Sequence, residues 1–191
     1  MKNNHTWVIC AYGESEFLEA CILSLQAQTL QSKIICYSST PLDSIKQLCQ
    51  KYGIPFYTKE GGGIGKDWNN ALTFVETSYA TIAHQDDYYE PTYLEAVMQK
   101  IEQSKDILIA YTDYFEEKNG VKIPANTNLK IKTLMLKTLN LMPASRFWRN
   151  RVLAFGNPIS CPAVTYNLEA LRDFQFDEEM RVSLDWYAWY K

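Results

Sequence analysis

The sequence predicts a single α/β domain with a mostly parallel central sheet flanked by helices, and three observations carry that expectation. Helical and extended patterns alternate through the first 114 residues, and parallel strands need crossover connections, which are usually helices. At 191 residues and 47% hydrophobic content the chain can bury one sizeable core, whereas two would be cramped. No repeat, low-complexity tract or linker divides it.

The elements follow in order. Short apolar runs at 7–11, 34–37, 55–57, 79–83 and 107–111 read as buried strands. Between them, apolar residues recur at helical spacing: Leu18/Cys21/Ile22/Leu25, Ile45/Leu48/Cys49/Tyr52, Trp68/Ala71/Leu72/Val75 and Leu94/Val97/Met98/Ile101. Each set gives a helix one buried face. Pro91 marks the start of the fourth helix. After Tyr114 the pattern changes. Asn119-Gly120 predicts a tight turn, 129–139 a further helix, 141–157 an irregular stretch carrying Arg146, Arg149 and Arg151, and 158–166 a returning strand. An aromatic helix over 184–190 runs to the last residue without a cap, so the C-terminus is expected to be shortened.

Composition narrows the function. A formal net charge of −3 offers no basic footprint, so nucleic acid is not the expected partner. Cys10, Cys21, Cys36, Cys49 and Cys161 are odd in number and contain no C-x-x-C pair, which argues against a disulfide framework or zinc site and for a reducing cytoplasm. No apolar run approaches the roughly 20 residues that span a bilayer, and the first residues lack a signal core. Peripheral association with the inner face of a membrane stays open.

His84-Gln85-Asp86-Asp87 is the most informative segment, because paired carboxylates at a strand's carboxyl end can hold a divalent cation and bridge it to substrate phosphates. The same acids also serve as a plain helix lead-in favoured by the dipole. His84 is either a third ligand or a hydrogen-bonded strand end. The loop Gly61-Gly62-Gly63-Ile64-Gly65-Lys66 permits close backbone approach to a phosphate, with Lys66 adding a cation, or forms a surface turn; Glu60 and Asp67 exclude a Walker A motif. Asp185, beside Trp186 and Trp189, suits a general base with a tuned pKa, or a first-turn acid whose aromatic neighbours are core. The three arginines offer an anion clamp or a solvated face.

Taken in order, VICAYGESEFLEACILSLQAQTL, GGGIGKDWNNAL, HQDDYYEP and LDWYAW resemble the first strand and helix, donor loop, metal-binding region and catalytic-base segment of the family 2 glycosyltransferases. The resemblance covers residues 7–191 and implies a GT-A fold, with one nucleotide-sugar transferase domain over 1–191. About 1–114 would bind the nucleotide-sugar and about 115–191 would form the acceptor side. It implies an inverting transfer to a glycan or lipid-linked acceptor hydroxyl, with Mg2+ or Mn2+, in surface polysaccharide synthesis. Asp185 falls on the general base, and Asp86 and Asp87 on the metal. Ala11, Tyr12, Glu14, Ser38, Gly65, Lys66, Asn69, Gln85 and Asp86 fall on the donor site, and Trp186 and the stretch from Gly156 to Cys161 on the acceptor site. Three departures stand out. Tyr37-Ser38-Ser39-Thr40 lacks the base-reading aspartate, Asp67-Trp68-Asn69 replaces Ala-Arg-Asn, and His84 replaces the first metal acid, leaving Asp86 as main ligand. These departures keep two rivals in play: a nucleotide- or glycan-binding protein without turnover, and a nucleotidyltransferase of similar architecture.

Overall fold

The computed structural model describes residues 4–104, 106–118 and 120–191. The elements in chain order are β1 (His5–Cys10), α1 (Leu18–Gln26), β2 (Lys33–Tyr37), α2 (Asp43–Lys51), β3 (Phe56–Tyr57), α3 (Ile64–Leu72), β4 (Tyr79–His84), α4 (Tyr93–Glu102), β5 (Ile109–Tyr111), β6 (Glu117–Lys118), β7 (Val121–Lys122), α5 (Thr127–Leu139), α6 (Arg146–Leu153), β8 (Val164–Asn167) and α7 (Leu184–Tyr190). The central sheet has the order β3-β2-β1-β4-β8-β5. Its β3, β2, β1 and β4 pair in parallel, and β8 enters antiparallel between β4 and β5.

Alternation along the strands sorts the core into two faces. Trp7 and Ile9 of β1 and Ala83 of β4 pack against Leu18, Ile22 and Leu25 of α1, Ile45 of α2 and Leu94 and Val97 of α4. On the other face, Val8, Ile35 and Ala80 meet Ala71 of α3, and Ile82 meets a second cluster formed by Trp68, Leu136, Leu153 and Trp189. Helices therefore cover both faces, as the alternation predicts.

Two expectations need correction. The stretch 141–157 is not irregular: it contains α6, whose N-cap Ser145 accepts a hydrogen bond from the Trp148 amide. The three arginines masked its apolar stripe, since Val152 and Leu153 alone are buried. The run 158–166 does not form one strand. Its first half ends in a 3-10 turn at Cys161–Ala163 that contains Pro162, which has no amide to donate to a ladder, and only its last residues enter β8. Of the predicted turn, Asn119 lies outside the described residues; Gly120, at φ 76°, precedes β7 of the hairpin.

Candidate active site

A cleft of about 720 Å³ opens at the carboxyl ends of β1, β2 and β4, between the first βα turn, the glycine-rich loop and the acidic segment. This is where an open α/β sheet binds ligands. Its floor is tied together by short contacts. The Ala11 amide donates to the Tyr37 carbonyl at 2.8 Å. Gln85 and Tyr12 bond reciprocally, Gln85 Nε2 to the Tyr12 carbonyl at 2.7 Å and the Tyr12 amide to Gln85 Oε1 at 3.1 Å. Ala11 is buried beneath, Tyr12 stands exposed at the rim, and Glu14 is exposed two residues on, outside the cleft lining.

The glycine-rich loop forms the opposite wall. A Cβ at Gly61 would come within 2.5 Å of Ser39 Cβ and 2.9 Å of Asp67 Oδ1, so only glycine lets these side chains reach the cleft. Ser39 donates to Asp67 Oδ2 at 2.9 Å, while Asp67 Oδ1 is buried with no partner. Lys66 folds back along Gly62, keeping its ammonium on the loop.

Three sequence candidates take other positions. Gly65 is buried where α3 meets the chain at Asp177, whose carbonyl oxygen would lie 2.3 Å from an added Cβ. Asn69 uses both ends of its amide on that segment, donating to Phe176 O at 2.9 Å and Glu178 Oε1 at 3.0 Å and accepting from the Phe176 amide. Ser38 is fully buried and accepts from the Thr40 amide; Ser39 and Thr40 line the cleft instead.

The acidic segment is held from below. Tyr89 packs its ring on Trp7 at 4.6 Å and donates its hydroxyl to the Pro162 carbonyl at 2.8 Å. Buried Gln28 donates to the Glu90 carbonyl and accepts from the Leu94 amide. On this frame His84, Asp86 and Asp87 bring ligand atoms within 4.8 Å of one another. His84 stacks on Trp68 at 5.5 Å, and its Nε2 is buried without a partner. Burial holds the His84 imidazole below its ordinary pKa, against the pull of Asp86 and Asp185. Burial, and secondarily the Asp86 charge, pushes the Asp87 carboxyl up to about 6. His84 Nδ1 lies 3.8 Å from Asp87 Oδ2, and paired carboxylates beside an imidazole are a donor set that fits a Mg2+ or Mn2+ ion, whose charge would relieve the repulsion.

Asp185 enters from α7 and accepts a hydrogen bond from Asn157 Nδ2 at 2.7 Å. Its charge acts on His84, Cys161 and Tyr166. Asn157 falls in the stretch that the resemblance sets beside the acceptor, but its hold on Asp185 has no sequence signal, because a single asparagine in a loop has no period or motif. Cys161 is buried beside the Tyr166 hydroxyl, and burial raises its thiol well above the ordinary value. Trp186 donates its indole N–H to the Leu153 carbonyl at 3.0 Å, bracing α7 on α6, and Trp189 is buried against Tyr166.

A family model described as glycosyl transferase family 2 matches residues 6–160. Among curated proteins, glycosyltransferase GlyA of Streptococcus pneumoniae serotype 4 is 24% identical over 123 residues, covering 61% of this chain and 18% of its own length. Among solved structures, S. aureus TarS 1-349, also crystallised with UDP-GlcNAc, superposes with TM-score 0.66 at 17% identity over 97% of this chain and 53% of that one. The mannosyltransferase PcManGT of Pyrobaculum calidifontis, in complex with GDP-Man and Mn2+, gives 0.63 at 10% identity over 93% and 48%. The chain thus spans about half the length of these structures and less of GlyA.

Proposed function

The chain belongs to glycosyl transferase family 2, and from that membership we propose that it transfers a sugar, with inversion, from a nucleoside-diphosphate donor to a hydroxyl of a glycan or lipid-linked acceptor in surface polysaccharide synthesis. The observation that carries this reading is the gathering of His84, Asp86 and Asp87 within 4.8 Å beside a nucleotide-sized cleft that His84 and Asp86 line, with an asparagine-held Asp185 close enough for its charge to act on His84. A bound ion would supply charge neutralisation for the departing diphosphate, held by Asp86 and Asp87 with His84 beside them.

The remaining chemistry falls to the side chains. Asn157 presents Asp185 with one oxygen committed and the other free to take the acceptor's proton. The acceptor oxygen then bonds to the anomeric carbon as the bond to the diphosphate breaks, and this single displacement inverts that centre. Asp67 lines the cleft and accepts from an N–H of the base, supplying from α3 the carboxylate that is missing after β2. Tyr12 and Thr40 close the base from the rim. Residues of about 1–114 thus serve the donor and those of about 115–191 the acceptor. A cytoplasmic site of action accords with five free cysteines.

The test is transfer from UDP- and GDP-sugars, the donor classes seen with TarS and PcManGT, in the presence of Mn2+. Release of nucleoside diphosphate with glycosylated product supports the proposal. Pyrophosphate released from a nucleoside triphosphate would indicate nucleotidyl transfer, and binding without product would indicate a non-catalytic nucleotide-binding role.

A further inference from the structure

We propose that the outer face of α5 and α6 docks on the surface of an anionic phospholipid bilayer. The first observation is charge. The chain carries a net −3, yet residues 118–168 contain eight lysines and arginines and not one aspartate or glutamate. Lys130 and Lys137 on α5, and Arg146 and Arg151 on α6, are exposed. The second is the apolar surface set among those cations. Ile131, Leu134, Leu141, Met142 and Phe147 are all more than half exposed, and Phe155 is 88% exposed. Ile131 and Leu134 stand one turn apart on α5 with Lys130 and Lys137 beside them, so cations and apolar groups share one face of the helix, and Leu141 follows just past its end. On α6, Arg151 lies over the Phe147 ring at 5.1 Å. A groove of about 310 Å³ joins the helices, lined by Leu134, Met135, Trp148, Val152 and Phe155 among others.

An apolar patch of this extent marks a binding surface. Its cations select the occupant. Basic residues interleaved with Phe and Leu on helices that present one face are the pattern of interfacial membrane binding, where rings enter the acyl boundary and cations meet lipid phosphates. No helix among the described residues is long and apolar enough to cross a membrane; the contact proposed is one of helix faces lying on the bilayer surface. The proposal stands on this face alone and does not depend on the catalytic reading.

Flotation of the 191-residue chain with phosphatidylcholine vesicles, with and without phosphatidylglycerol, tests it. Binding is expected only with phosphatidylglycerol and to weaken with salt. The double variant Lys130→Glu/Arg151→Glu is expected to lower affinity by roughly tenfold or more. Phe147→Ser with Phe155→Ser should abolish retention without lowering the thermal midpoint, since both rings are exposed. Lys46→Glu, in α2 on the opposite face of the sheet, should change little. Equal binding to both vesicle types, no binding to either, or an equal loss with Lys46→Glu overturns the proposal. So does a dimer in light scattering that the Phe variants dissociate while vesicle binding is absent, which would assign the face to a second copy of the chain.

Discussion

Asp185 shows how much a single residue's meaning depends on its neighbour. In sequence it is equally a helix-start acid, and what distinguishes it is the 2.7 Å bond from Asn157 and its position near His84. Asp185→Asn is expected to lower kcat by about 10²- to 10⁴-fold with nucleotide affinity retained, measured by product formation beside calorimetry. Unchanged turnover would remove it from the mechanism. Asp67 belongs to the same scale. Asp67→Asn keeps an acceptor for Ser39 but loses the charge, and nucleoside diphosphate binding should weaken about tenfold or more. An unaltered Kd would leave base recognition to Tyr12 and Thr40. Asp86 and Asp87 were legible because two adjacent acids at a strand end form a local signal. Asp67 and Asn157 were not, because their significance lies in contacts across 28 residues of sequence each.

At the level of elements, the first half of the fold could be read directly, since β1 to α4 repeat a short apolar run and a period-3.6 pattern in strict alternation. The second half could not. The β8 strand is four residues long and pairs with β4 and β5 from far along the chain, so no local pattern announces its antiparallel insertion. Helix α6 depends on its cap more than on its stripe, and Ser145→Ala should cost about 1 kcal/mol in chemical denaturation. Gly65 and Asn69 have a structural role that no local pattern signals, since through them α3 anchors the 176–178 segment. Gly65→Ala pushes a methyl into the Asp177 carbonyl and should destabilise by about 1–3 kcal/mol. A thermal midpoint equal to wild type would show that this segment can yield.

For the molecule as a whole, the buried network at the start of the sheet sets a pH limit on stability. His5 is fully buried, with Ser32 Oγ and Thr81 Oγ1 each 2.9 Å from a ring nitrogen, and burial lowers its pKa to about 3. The unfolded chain binds that proton near 6.5. The His5 contribution is therefore complete above about 6.5 and declines as pH falls from there towards about 3. Thermal midpoints measured across that window should fall with acid, and a His5→Gln variant should fall less steeply. Parallel curves would assign the loss to carboxylates alone. The central claim is that the cleft at the ends of β1, β2 and β4 is a metal-assisted nucleotide-sugar site. Calorimetric titration of UDP and GDP with and without Mn2+, on the wild type and Asp86→Ala, tests it most directly. Binding of one diphosphate that strengthens with Mn2+ and loses that gain in Asp86→Ala is the predicted result. Binding indifferent to both the ion and Asp86, or none for either nucleotide, would contradict it.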